Sequence, residues 1–182
     1  MKTKDQITQT MILISGLIIS MLATVLKQYP IVMVIGLGIQ IFATFKLFTI
    51  TKNKYLIWSL ASLMLSFAIV FLSGTFVPMM TTDMFTMIAI LSNFLLITYV
   101  LIRMADVLLM VYASENAHND FYKRFYQFLA ISFTVMILVG SIGTFLEGFT
   151  IILVLVSVLE FVFRIGFILA LILEVYHSKK EA

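Results

Sequence analysis

Six long apolar blocks divide this chain, and they constrain its fold more than any other feature. They cover about residues 10–26, 31–50, 55–74, 84–103 or beyond, 125–145 and 150–176. An α-helix needs about 20 apolar residues to cross the roughly 30 Å of hydrocarbon in a bilayer, and the blocks are of that order. We therefore predict an all-α, polytopic membrane protein with six transmembrane helices in one domain, residues 1–182, whose immediate partner is the lipid bilayer.

The composition agrees with a lipid environment. Apolar residues make up 62% of the 182 residues and charged residues 12%, whereas soluble domains are near half apolar and a quarter charged. The formal net charge is only +3, and the basic residues lie at block ends instead of forming one patch, which argues against nucleic-acid binding. The absence of cysteine excludes disulfides and thiolate metal sites.

The basic residues also predict the orientation, because short cytoplasmic loops carry an excess of Lys and Arg. An even number of spans places both termini on one side. If that side is the cytoplasm, Lys27 is the one loop cation outside, and the following lie inside: Lys2, Lys4, Lys52, Lys54, Lys123, Arg124, Lys179 and Lys180. We predict a multi-pass cell-membrane protein with cytoplasmic N- and C-termini.

The outer connections predicted at 27–30, 74–83 and 146–149 are short. They favour an arrangement of three helical hairpins, at about residues 10–50, 55–113 and 125–176.

One strongly polar residue lies part-way along the second helix of each hairpin: Gln40, Asn93 and Glu160. This recurrence suggests an internal triplication of one hairpin. Small residues also recur four apart, as at Gly16 and Ser20. Such pairs let helix backbones approach closely inside a membrane.

Glu160 and Arg164 place opposite charges four positions apart near the middle of the sixth block. Residues at this spacing share a helical face and can pair with each other. Each unpaired charge at mid-bilayer costs about 2.5 to 3.5 kcal/mol on insertion scales, so the two side chains should face protein or water. The sequence favours a structural interpretation, in which an intrahelical pair, tied to Gln40 and Asn93, fixes helix rotation and register. The alternative, functional interpretation is a proton- or ion-responsive site with those amides as neighbours.

Arg103 and Asp106 form a second close pair, about twenty residues into the fourth block. If that block begins at Met84, the pair lies at the inner membrane interface and anchors the helix there. If the block begins later, Arg103 lies deep in the membrane. The sequence favours the interfacial anchor.

The chain resembles the HdeD-like (DUF308) bacterial membrane proteins. The resemblance covers nearly the whole chain and is carried by the helix order and by a few residues: Pro30, Gly36, Gly38, Glu160 and Gly166. The second hairpin departs from the family pattern in lacking a glycine near Asn93. The resemblance implies a six-helix inner-membrane protein linked to stress or acid tolerance, and it carries over no catalytic residues.

The sequence contains no grouping of residues typical of an enzyme, such as a serine-histidine-acid set or a phosphate-binding loop. Glu115 and His118 have the spacing of a Glu-x-x-His metal motif, but di-metal bundles need two copies, so we expect neither metal nor cofactor. The sequence favours a non-catalytic membrane protein related to stress or acid tolerance, because the first, third and fifth blocks offer mainly Ser and Thr for a polar route. The alternative is a small proton- or solute-linked transporter or channel using Glu160 and Arg164. Self-association is also open, because a small bundle can shelter its polar residues against copies of itself.

Overall fold

Six helices account for nearly all of the described chain. The computed structural model describes residues 3–25, 30–80, 83–144 and 150–180. All six helices are long and apolar enough to cross a membrane, which confirms the predicted all-α membrane class. The helices are α1 (Lys4–Val25), α2 (Pro30–Thr51), α3 (Lys54–Met80), α4 (Met84–Glu115), α5 (Asp120–Gly143) and α6 (Thr150–Lys180).

The connection predicted at 74–83 is largely helical. Helix α3 has 27 residues and continues to Met80, and α4 begins after Asp83, whose carboxylate accepts the backbone N–H of Thr86 at 2.8 Å. The Thr86 hydroxyl also donates to this carboxylate, and the two hydrogen bonds hold the pKa of Asp83 below its ordinary value. The connections predicted at 27–30 and 146–149 lie outside the described residues, apart from Pro30, which begins α2.

Polar side chains define the two turns at the opposite end of the bundle. The side-chain oxygen of Asn53 accepts the backbone N–H of Tyr55 at 2.9 Å at the start of α3. Asn119 accepts the backbone N–H of Tyr122 at 3.0 Å and caps α5 in the same way. Asparagine suits these positions because its short side chain satisfies N–H groups that have no partner within the helix.

Contacts between these turns show that the helices alternate in direction. Asn53, between α2 and α3, donates to Glu115 at the end of α4 at 2.9 Å. The backbone N–H of His118, between α4 and α5, donates to Glu174 near the end of α6 at 3.0 Å. The two turns and the last turns of α4 and α6 therefore lie at one end of the bundle. We call it the basic end, because its helix termini and turns carry the described loop cations: Lys4, Lys52, Lys54, Lys123, Arg124, Lys179 and Lys180.

Helices adjacent in sequence pack on each other, and α1 also packs on α6, so the bundle closes into a ring. Contacts are most extensive within α1–α2 and α3–α4. Helix α5 packs on both neighbours, and more extensively on α4 than on α6. The arrangement of three hairpins and the triplication of one hairpin stay predictions.

The α1–α2 contact depends on small residues. A Cβ added to Gly36 would lie 2.6 Å from the backbone nitrogen of Ser20, and one added to Gly16 would lie 2.9 Å from the backbone nitrogen of Gln40. These separations are too short for real Cβ contacts. The small residues Gly16 and Ser20 therefore allow the close backbone approach that their spacing predicts.

Packing is densest toward the basic end and looser in the opposite half of the bundle. The dense half contains fully buried side chains from all six helices, including Leu17, Leu47, Leu56, Met110, Tyr126, Phe133 and Phe167. In the other half, which we call the outer half, the first turns of α4 and α6 are exposed, as Phe85 at 86% and Ile151 at 75% show. The first turns of α4 and α6 thus have few neighbours in the outer half, whereas α1 and α2 stay in close contact there.

Candidate functional site

Four ionised side chains meet between α4 and α6 within the membrane-spanning segments. We call Arg103, Asp106, Glu160 and Arg164 the central cluster. Asp106, Glu160 and Arg164 are each at most 5% exposed, and Arg103 retains 14% of its side-chain surface. The cluster lies where the dense half gives way to the outer half, since α4 residues are mostly exposed before Thr98 and mostly buried or half-buried after it.

Three ion pairs hold the central cluster together. Arg103 Nη1 lies 3.4 Å from Asp106 Oδ2 within α4. Arg103 Nε lies 3.2 Å from Glu160 Oε2 on α6, although this contact lacks the alignment of a hydrogen bond. Arg164 Nη2 lies 3.3 Å from Asp106 Oδ2. Each carboxylate is thus in contact with a guanidinium, and two of the three pairs join different helices.

This arrangement differs from the intrahelical Glu160–Arg164 pair that the sequence favours. Glu160 has its ionic partner in Arg103, and Arg164 has its partner in Asp106. Spacing along α6 places both residues on one face, but that face points toward α4, which presents charges of the opposite sign at matching heights. The two pairs that the sequence treats separately form one site.

Two further helices reach Arg164 through a serine. Arg164 Nη2 donates to Ser20 Oγ on α1 at 3.3 Å. Gln40 Nε2 on α2 donates to the same oxygen at 2.6 Å and to the carbonyl of Gly16 at 3.1 Å. Gln40 is therefore a neighbour of the cluster through Ser20.

Asn93 lies away from the central cluster. Its side chain is exposed on the outer half of α4, and it donates to the carbonyl of Ala89 in its own helix at 3.1 Å. The sequence suggests that Asn93, Gln40 and Glu160 occupy corresponding positions in three repeated hairpins. The three residues nevertheless do not lie in one site.

Sequence reasoning missed Tyr99. Its hydroxyl donates to Glu160 Oε1, and its ring lies 5.4 Å from the guanidinium carbon of Arg103. Tyr99 precedes Arg103 by one helical turn, so it lies on the same face of α4. This spacing was the available signal, because a tyrosine one turn from an arginine faces the same partners.

Two cavities border the central cluster, and Tyr99, Arg103 and Arg164 line both of them. The first cavity, of about 230 Å³, is lined also by Ser20, Met33, Leu37, Leu95, Thr98 and Ile102. The second, of about 430 Å³, is lined also by Met21, Ser157, Glu160 and Phe161. Both arginines therefore border the space inside the bundle, although the Nε atoms of both are closed off from it.

A second polar region, also missed, lies at the basic end. Glu174 is fully buried and accepts the hydroxyl of Tyr126 at 2.8 Å. It borders a polar cavity of about 310 Å³ that Glu115 and His118 also line. Among the described residues, no group of three or more histidines and carboxylates could hold a metal ion. Phe167, Leu171 and other apolar residues of α6 separate Glu174 from the central cluster.

No family model, curated protein or solved structure matches this chain. The resemblance to the HdeD-like proteins accordingly stays a prediction.

Proposed function

We propose that this multi-pass membrane protein is a proton-linked transporter or channel whose working site is the central cluster. The observation that carries the proposal is the convergence of four ionised side chains beside two cavities inside the bundle. Ionisable residues within membrane spans are costly, and they commonly mark ion pathways, proton relays and substrate sites. A purely structural contact would need only small or apolar side chains.

Glu160 is the proton acceptor in this proposal. It accepts the hydroxyl of Tyr99 and contacts Arg103. A proton on Glu160 removes its charge and weakens its attraction to Arg103, which keeps its contact with Asp106. Protonation would thus weaken one of the two ion pairs that join α4 and α6. This change couples a proton to the relative position of the two helices.

The difference in packing between the two halves of the bundle supports access to the central cluster from the outer side. The outer half leaves space above the cluster, whereas buried side chains such as Phe133 and Phe167 fill the bundle on the basic side. A molecule at the cluster would reach the basic end only after this apolar layer opens. Separate access from the two sides is what a transporter requires.

Proton flux in proteoliposomes tests the proposal. Vesicles containing a pH-sensitive dye are given a potassium diffusion potential, and the initial rate of internal pH change is compared with that of protein-free vesicles. We expect the wild-type protein to accelerate the change and Glu160→Gln to lower the rate at least tenfold. Glu115→Gln, at the exposed basic end, is the matched control and should retain the wild-type rate.

A non-catalytic structural role, such as support of the membrane under stress, is the second candidate. The specific observation in its favour is that the positive and negative charges of the cluster are matched and in contact. Such a network can fix helix positions without moving a solute. It predicts wild-type flux equal to that of protein-free vesicles, and this result would contradict the transport proposal.

A further inference from the structure

We infer that a groove between α5 and α6 at the basic end binds an anionic phospholipid, with an acyl chain in the groove and the phosphate against basic side chains at its rim. The groove shares no lining residue with the two cavities beside the central cluster. The lipid site is therefore independent of the proposed transport.

The groove has a volume of about 220 Å³ and an apolar lining. Its walls come from the two helices: Phe121, Tyr122 and Phe125 on α5, and Gly166, Leu169 and Leu173 on α6. The rings of Phe121 and Phe125 stack, with centroids 6.3 Å apart and planes at 6°, and form a flat wall. Gly166 deepens the opposite wall because it carries no side chain. A hydrocarbon chain lying in the groove gains dispersion contacts with both walls.

The groove opens toward lipid. Among its lining residues, Phe121 is 71% exposed, Leu169 54% and Leu173 50%. Within the described part of the chain, only α5 and α6 contribute to the lining, and both helices are of membrane-spanning length. A phospholipid in the surrounding leaflet therefore reaches the groove without entering the bundle.

Basic side chains of α6 lie at the rim of the groove nearest the membrane surface. The ring of His177 lies 6.3 Å from that of Tyr122, and its Nδ1 lies 3.5 Å from the Tyr122 hydroxyl. Lys180 follows Leu173 by seven residues, or two helical turns, so the two share a face of α6. At 1.5 Å per residue, Lys180 lies about 10 Å beyond Leu173 along the axis. This distance takes it from the hydrocarbon to the headgroup layer.

Arg124 supplies a second charge, beside the α5 wall. It follows Phe121 by one helical turn and is exposed, and side chains of α5 lean toward the helix N-terminus at the basic end. Among the described residues, neither Arg124 nor Lys180 forms an ion pair with a carboxylate. Glu174 points into the bundle and accepts hydrogen bonds there. A phosphate complements these charges, and basic side chains between membrane helices commonly bind anionic lipid headgroups.

Lipid titration of the purified protein in a neutral detergent, followed by native mass spectrometry, tests the inference. Phosphatidylglycerol is compared with phosphatidylcholine carrying the same two oleoyl chains, so that the two lipids differ in headgroup alone. We expect phosphatidylglycerol to bind at least fivefold more tightly than phosphatidylcholine.

Variants at the rim test the contribution of charge. Arg124→Gln combined with Lys180→Gln removes the two charges beside the groove. Lys123→Gln combined with Lys179→Gln is the matched control, because it removes the same net charge from exposed positions about 100° away on the same two helices. We expect the first double variant to weaken phosphatidylglycerol binding at least fivefold and the control to leave it within twofold of wild type.

Gly166→Leu tests the acyl-chain site. A Cβ at Gly166 would lie 3.7 Å from the Phe125 ring, an ordinary contact, and the rest of the leucine would occupy the groove. Gly38→Leu is its matched control, at an exposed position of α2 where an added Cβ meets no atom within 4 Å. We expect Gly166→Leu to weaken binding of both lipids at least fivefold and Gly38→Leu to leave it within twofold. If Gly166→Leu does not elute as the wild type does in size-exclusion chromatography, the rim variants still decide the inference.

Three outcomes would overturn the inference. Equal affinity for the two phospholipids would show an apolar groove without headgroup selectivity. Equal losses in the rim variant and its control would show attraction to the overall positive charge of the basic end. A wild-type dimer that Gly166→Leu converts to a monomer would show that a second copy of the chain occupies the groove.

Discussion

Gly36 lies at a point where the backbones of α1 and α2 almost touch. A methyl group on Gly36 would collide with backbone atoms of Ser20, whereas a Cβ on Gly38, two residues later in α2, meets no atom within 4 Å. Backbone atoms cannot move aside as a flexible side chain can. The two glycines therefore differ in what they contribute, although their sequence environments are similar.

We predict that Gly36→Ala lowers the free energy of unfolding by about 1 to 3 kcal/mol, the usual cost of overpacking a tight contact. Gly38→Ala should leave stability unchanged or raise it slightly, because alanine favours helix. Thermal unfolding in detergent, compared across wild type and the two variants, measures both effects. Equal stability of the two variants would contradict the close contact at Gly36.

At the scale of helices, the contact between α4 and α6 depends on charge. Arg164 contacts Asp106 at 3.3 Å, and both side chains are almost fully buried. Removal of one partner leaves the other charge buried without compensation, which typically costs about 3 to 5 kcal/mol. Replacement of both residues removes both charges, so neither charge is left buried without a partner.

We accordingly predict that Asp106→Asn and Arg164→Gln each destabilise the protein strongly, whereas the double variant loses less than the sum of the two. A double-mutant cycle on the free energy of unfolding measures the coupling. Glu115→Gln, at an exposed position, should change stability by less than about 0.5 kcal/mol. Additive losses in the cycle would show that the two residues do not interact.

At the scale of the whole molecule, the alternating helices place the described loop cations at one end. We predict that this basic end faces the cytoplasm, in accordance with the distribution of Lys and Arg. The chain contains no cysteine, so single introduced cysteines can be labelled without background.

In intact cells, Asp83→Cys, at an exposed position just before the membrane-spanning segment of α4, should react with a membrane-impermeant maleimide. Lys123→Cys at the basic end should react only after the membrane is opened. The reverse pattern would overturn the predicted orientation. Labelling of both positions in intact cells would contradict a single orientation.

Much of the fold follows from the sequence because hydrocarbon imposes a simple requirement. Backbone polar groups have no water to bond in a bilayer, so an apolar block of sufficient length must become a helix. The six helices therefore follow from block length. Their ends are less predictable. The extension of α3 to Met80 crosses a segment containing Pro78 that reads as a turn.

The candidate site shows where sequence reasoning stops. The cost of charge in lipid singles out Glu160 and Arg164, and it requires that each be sheltered. It does not determine the sheltering partner, since a neighbour one turn away and a residue on another helix satisfy the requirement equally well. Tyr99 and Ser20 are ordinary residues in apolar helices until the bundle brings them to the charges.

The sequence alone thus determined the environment, the helical class and the presence of costly charges, because these depend on local composition and on the length of apolar blocks. Only the tertiary structure decided that Arg103 and Asp106 of α4 join Glu160 and Arg164 of α6 in one cluster beside two cavities. The reason is physical. Helix rotation and the order of packing depend on the summed contacts of all six helices, and no single segment encodes that sum.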